Sequence, residues 1–157
     1  MLTTRVKRIL TLATAVTLAA CTDNTGIGPY RDVAGTYQLT VFSGRTLPTT
    51  YTYSAGQIQA LPNGGTITWT GGTMVLNSVG TFVETNDYTI TPNGGSSSNS
   101  SFISSGTFTI SGIDFTLSAQ QQNGAPARFA QGTIENNTIN YQEDDGTGQL
   151  AAFEYKR

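Results

Sequence analysis

The feature that most constrains the fold is a repeated alternation of apolar and polar residues, interrupted at short intervals by turn residues, from residue 35 onward. Short alternating segments of this kind are typical of β-strands with one buried face. No window after residue 30 shows sustained helical spacing. The predicted strands cover residues 35–43, 48–54, 66–70, 73–77, 81–91, 101–110, 113–119, 127–134, 138–142 and 149–156.

These strands are joined by short connections, which favour antiparallel pairing with one side of the sheet buried. Closing such a sheet removes the exposed edges that invite aggregation. We therefore predict an all-β fold, an antiparallel up-and-down β-barrel of about eight strands, over residues 33–157. Tyr37, Leu39 and Val41 share the expected inner face of the first strand, and Gly71-Gly72 is expected to form a turn or a bulge.

The N-terminal segment has the pattern of an export signal. Three basic residues precede a mostly apolar run over residues 9–20, which is too short to span about 30 Å of hydrocarbon as a helix. The run ends in Leu18-Ala19-Ala20-Cys21, which resembles a bacterial lipobox. The resemblance implies a signal peptide over residues 1–20, cleavage between Ala20 and Cys21, and lipidation of Cys21. The polar composition of the following residues, with two glycines and a proline, predicts a flexible tether over residues 21–32. The alternatives are an ordinary secretory signal or a buried core cysteine.

The lipobox interpretation also predicts where the protein is located in the cell. A lipid anchor on Cys21 would hold the domain at the cell envelope, and Thr22 at the following position favours the outer membrane in a host with two membranes. The chain after residue 20 has five basic and ten acidic residues, a side-chain charge of −5. This charge argues against nucleic acid and anionic headgroups as partners.

The composition excludes several kinds of catalytic site. The chain has no histidine and only one cysteine, so Ser-His-Asp catalysis, Cys-His catalysis and the usual zinc sites cannot be built. A pair of carboxylates could still act as acid and base, but we expect no enzymatic activity and no cofactor. The acidic segment over residues 143–148 lacks the ligand spacing of an EF-hand loop and is expected to be a solvated hairpin turn.

Three short motifs resemble segments of small bacterial lipocalin-like lipoproteins. They are GTYQL at residues 35–39 followed by SGRTLP at residues 43–48, GTFTISG at residues 106–112 running into FTL at residues 115–117, and FEYKR at residues 153–157. A similar opening also occurs in META-type barrels. The resemblance implies an eight-stranded barrel and supplies no catalytic residues.

The candidate binding residues are Trp69, Glu84, Tyr88 and Arg128. Glu84 shares strand parity with Tyr88, so a regular strand would point both side chains into the barrel. A buried carboxylate needs a partner, and Arg128 is one of few cations available. The pair could line a ligand cavity or form a structural ion pair, and a bulge could turn Glu84 outward. Other aromatic residues could line a cavity or fill the core: Tyr37, Phe108 and Phe115.

Two functions follow from these predictions. The first is binding of a small apolar ligand in the barrel mouth by a lipid-anchored protein. The second is a structural or interaction role for an envelope lipoprotein with a filled barrel, which would contact partners through loops such as residues 92–101 and 120–126. An eight-stranded barrel is wide enough for either arrangement.

Overall fold

A computed structural model describes residues 29–119, 127–144 and 149–157. It contains one short helix and ten strands. The elements are α1 (Pro29–Val33), β1 (Gly35–Phe42), β2 (Arg45–Thr46), β3 (Thr49–Tyr53), β4 (Gly65–Leu76), β5 (Thr81–Pro92), β6 (Ser98–Ser111), β7 (Asp114–Ala119), β8 (Arg128–Glu135), β9 (Thr138–Asp144) and β10 (Leu150–Lys156).

The strands form a closed antiparallel barrel, which confirms the predicted all-β fold. Each strand from β4 to β10 pairs with the next along the chain, and β1 pairs with both β10 and β4. Eight strands therefore close the barrel, and β2 and β3 extend it at the edges of β1 and β4. The tight turns follow local sequence: Ser43 and Gly44 both have positive φ, as do Asn136 and Asn137, which suits two-residue hairpins.

Two bulges change which residues face inward. The pairing of β1 with β10 shifts between Leu39 and Val41, so Phe42 is buried in place of Val41, contrary to the prediction for this strand. The pairing of β4 with β5 shifts between Trp69 and Gly71. The two strands predicted at residues 66–70 and 73–77 are therefore one bulged strand, in which a single inserted residue reverses the alternation.

One end of the barrel is filled by apolar side chains. This end carries the β4–β5, β6–β7 and β8–β9 turns, and we call it the filled end. The buried residues there include Tyr37, Met74, Leu76, Phe82, Phe108, Phe115, Leu117, Ile134 and Ile139. The opposite end, which we call the mouth, carries the loop over residues 54–64 and the β5–β6 turn.

The helix α1 packs at the filled end. The Tyr30 ring meets the Phe108 ring edge-on at 5.2 Å, and the Tyr37 hydroxyl donates a hydrogen bond to the Val33 carbonyl at 2.7 Å. Tyr30, near the end of the segment expected to be a tether, thus packs against the barrel. Cys21 and the rest of residues 1–28 lie outside the described residues, as do residues 120–126 and 145–148.

Candidate functional site

A cavity of about 380 Å³ occupies the mouth of the barrel. Its lining comes from the mouth halves of the strands and from the loop over residues 54–64, and most of the lining side chains are apolar or aromatic. We call it the mouth cavity. Its lining residues are Phe42, Tyr53, Ile58, Ala60, Ile67, Trp69, Asn86, Tyr88, Ile90, Phe102, Arg128, Glu143, Asp144, Ala151 and Phe153.

Aromatic rings packed against one another form one wall of the mouth cavity. The Trp69 ring stacks on Phe42 with centroids 4.0 Å apart, and it lies 5.5 Å from Tyr88 at a tilt. Phe153 meets both Trp69 and Phe42 edge-on. Contacts of this kind hold the rings in place, so the wall is formed before any ligand arrives.

Trp69 also carries an unusual nitrogen atom. Its indole Nε1 is buried and, within the described part of the chain, is the one buried side-chain nitrogen or oxygen atom without a hydrogen-bond partner. Leaving such a donor unpaired costs about 1–3 kcal/mol. A residue of the cavity wall therefore contains a buried hydrogen-bond donor that has no partner.

A layer of polar side chains separates the mouth cavity from the apolar filled end. We call it the polar layer, and it consists of Glu84, Asn86, Arg128, Tyr141 and Tyr155. Glu84 is fully buried, and its Oε1 accepts hydrogen bonds from the Tyr141 hydroxyl, from Asn86 Nδ2 at 2.8 Å and from the Tyr155 hydroxyl at 2.6 Å. The layer crosses the barrel from β5 to β9 and β10.

The second oxygen of Glu84 is held by Arg128. Arg128 Nη1 donates to Glu84 Oε2 at 2.8 Å, and its Nε and Nη2 both donate to Glu143 Oε2. Its guanidinium also lies over the Phe102 ring, 4.8 Å from the centroid. Burial acts against the charged guanidinium, but the two carboxylates outweigh it and hold the pKa of Arg128 above its ordinary value.

Glu143 and the two tyrosines have perturbed acidities for related reasons. Burial raises the pKa of the Glu143 carboxyl, while Arg128 acts in the opposite direction. Burial also raises the pKa of Tyr141 and of Tyr155 well above 10.0, and the nearby Glu84 carboxylate adds to both shifts. Both tyrosines are therefore neutral hydrogen-bond donors at physiological pH.

Asn86 fits into the polar layer because Gly72 faces it on β4. The register pairs these two residues, and a Cβ at residue 72 would collide with Asn86 Oδ1 and lie 2.9 Å from the Thr85 carbonyl oxygen. Asn86 Oδ1 is also 2.6 Å from the Tyr155 hydroxyl. Since that hydroxyl has one proton, it donates either to Asn86 or to Glu84 at any moment.

The predicted binding residues come together at this site. Trp69, Tyr88 and Arg128 line the mouth cavity, and Glu84 lies directly beneath it, paired with Arg128. Glu84 points inward as its parity indicates, so it is not turned outward by a bulge. The other aromatic candidates, Tyr37, Phe108 and Phe115, are buried in the core at the filled end instead.

Sequence reasoning missed other members of the site. Phe42 lines the cavity because of the bulge in β1, and Glu143 lines it although it belongs to a segment expected to be a solvated turn. Tyr141 and Tyr155 contribute hydroxyls through strand pairings that bring β9 and β10 opposite β5. Their alternation with other buried residues was the one local signal, and it marks burial without identifying a partner.

Neither a metal-binding cluster, within the part of the chain that the structure describes, nor a similar protein adds to this account of the site. Among the described residues, no group of three or more Asp, Glu, Cys or His side chains could hold a metal ion. No helix in the described part of the chain is long and apolar enough to cross a membrane. No protein-family model, curated protein or solved structure matches this chain.

Proposed function

We propose that this protein is a lipid-anchored, extracytoplasmic β-barrel that binds a small, largely apolar ligand in its mouth cavity and has no catalytic role. The observation that carries the proposal is the cavity itself, a space of about 380 Å³ with a packed aromatic wall. This volume is within the range of about 300–1,000 Å³ that is typical of small-molecule sites.

The polar layer supports the proposal because it limits the cavity from below. Glu84 has acceptor contacts on both oxygens, so the layer is held in place without help from a ligand. Apolar side chains fill the barrel beneath it. A ligand would therefore enter from the mouth, displace water from apolar walls and stop at the polar layer. Each Å² of apolar surface removed from water contributes about 25 cal/mol to binding before entropic costs.

The anchoring part of the proposal rests on the lipobox-like Leu18–Cys21 segment and on the resemblance to small bacterial lipocalin-like lipoproteins. The position of α1 adds a geometric consequence. It packs at the filled end, through Tyr30 on Phe108. A membrane anchor on Cys21 would join the barrel on that side, and the mouth would open at the opposite end, where a ligand could enter and leave.

The ligand-binding part can be tested by native mass spectrometry of residues 22–157, purified gently after secretion without the anchor. All core residues lie between Tyr37 and Tyr155, so this chain contains the whole barrel. We expect an additional mass of a few hundred daltons that is lost on unfolding, in keeping with the cavity volume.

A pair of variants sharpens that test. Ala60 is exposed and lines the mouth cavity, whereas Ala55 is exposed in the same loop and does not line it. Ala60→Phe should remove the additional mass, and Ala55→Phe should keep it. A bare polypeptide mass for all three proteins would contradict ligand binding and favour the alternative, an envelope protein that contacts partners through its outer surface.

The anchoring part needs a separate experiment. Cells that express the full chain are grown with a labelled fatty acid, and the protein is isolated under denaturing conditions. We expect label in the wild-type protein and none in Cys21→Ser. Label that survives this substitution would show that Cys21 is not the lipidated residue. This outcome would leave the ligand-binding part of the proposal standing.

A further inference from the structure

The charged groups at the mouth cavity are unequally matched. Arg128 is the one basic residue among the described residues that line it, whereas Glu143 is acidic and Glu84 lies directly beneath. Two carboxylates therefore face one guanidinium. With these three groups ionised, their charges sum to −1.

Arg128 is poorly placed to recognise an acidic ligand. Each of its three nitrogen atoms already donates to a carboxylate, with Nη1 on Glu84 and both Nε and Nη2 on Glu143. The Phe102 ring covers one face of the guanidinium, and the Arg128 side chain is only 14% exposed. A ligand carboxylate would have to compete with two protein carboxylates that are held close to it.

The same surroundings suit a cation. Glu143 lines the cavity. Arg128 donates two hydrogen bonds to Glu143, and both are accepted by Oε2, so Arg128 does not bond to the Oε1 atom. Aromatic rings also line the space, and a cation placed over a ring face gains about 0.5–2 kcal/mol. The apolar walls would hold the remainder of the molecule.

We infer that the mouth cavity selects amphiphilic cations, molecules with an amine or quaternary ammonium head and an apolar body, over fatty acids of the same length. This inference rests on the proposed function, because it names the ligand class of the same cavity. The cationic head would lie beside Glu143, and the apolar body would contact the wall formed by Trp69, Phe42 and Phe153.

Isothermal titration calorimetry with three probes of matched chain length tests the inference. The probes are octyltrimethylammonium, octanol and octanoate. The two ionic probes are titrated into residues 22–157 below their micelle concentrations, and octanol is titrated below its solubility limit. We expect octyltrimethylammonium to bind about tenfold more tightly than octanoate, with octanol between them. This order reflects the head group alone, because the apolar chain is the same in all three probes.

A carboxylate variant with a matched control assigns the selectivity to the cavity. Glu143→Gln should weaken binding of octyltrimethylammonium about tenfold and leave octanol unchanged. Glu135→Gln removes the same charge from an exposed residue at the other end of the barrel and should leave all three affinities unchanged. Because Glu143 contacts Arg128, circular dichroism must first show that Glu143→Gln keeps the wild-type fold.

The other outcomes are equally informative. Equal binding of the three probes, or tighter binding of octanoate, would overturn the cation inference and leave an apolar binding cavity in place. Should Glu143→Gln fail to fold, the order of the three probes on the wild-type protein decides the question by itself. Absence of binding heat with all three probes would contradict both the inference and the proposed function.

Discussion

The substitution Glu84→Gln tests the polar layer most severely. Glu84 is fully buried and lies at its centre, with Arg128 on one oxygen and three donors on the other. Glutamine has nearly the same volume, so no cavity is created. Its carbonyl oxygen can keep the three donors, but its amide group then faces the Arg128 guanidinium, and two donors meet where an ion pair stood.

The magnitude follows from the burial and from the partners that remain. Breaking a buried ion pair by removing one partner costs about 3–5 kcal/mol, because the other charge stays buried without compensation. Here Arg128 keeps Glu143, so we expect a loss near the lower limit, about 3 kcal/mol. For a domain of this size such a loss lowers the melting temperature by about 10 °C.

Urea denaturation of residues 22–157, followed by circular dichroism, measures this loss. Arg128→Met and the double variant complete a thermodynamic cycle. The double variant should lose about 2 kcal/mol less unfolding free energy than the two single variants lose together. Glu135→Gln is the control for removal of a carboxylate. A loss below about 0.5 kcal/mol for Glu84→Gln, equal to that of the control, would refute the reasoning.

Two further predictions concern the same layer. Gly72→Ala should cost at least about 2 kcal/mol in urea denaturation because its Cβ collides with Asn86, whereas Gly71→Ala, whose Cβ would meet no atom within 4 Å, should be nearly neutral; equal losses would contradict this packing. Tyr141 and Tyr155 have raised pKa values when folded, so the unfolded state releases their protons first and stability should fall as the pH rises above 10.0. Ultraviolet titration should therefore show at least two of the seven tyrosines ionising only with unfolding, and ionisation of all seven in the folded state would contradict the burial of Tyr141 and Tyr155.

Much of the barrel could be predicted because its signals are local. Alternation gave the strand positions, and the paired turn residues gave the hairpins at residues 43–44 and 136–137. The same alternation put Glu84 on the inner face. The scarcity of basic residues then made Arg128 its best partner, and the two side chains do form an ion pair at 2.8 Å.

The rest of the site depends on information that no local segment contains. The bulge in β1 moves Phe42 to the inner face, and nothing in the sequence around Thr40 distinguishes it from a regular strand. Glu143 belongs to an acidic run that resembles a solvated turn, and its contact with Arg128 arises from the pairing of β8 with β9. Three-dimensional register, rather than composition, decides both positions.

The emission of Trp69 tests the central claim, that the mouth of this barrel is a ligand site, most directly. Trp69 is the single tryptophan of the chain, and it lines the mouth cavity. Titration with octyltrimethylammonium should give a saturable change in emission for the wild type and for Ala55→Phe, and none for Ala60→Phe. An unchanged wild-type emission, while calorimetry records binding, would place the bound probe elsewhere and contradict the account.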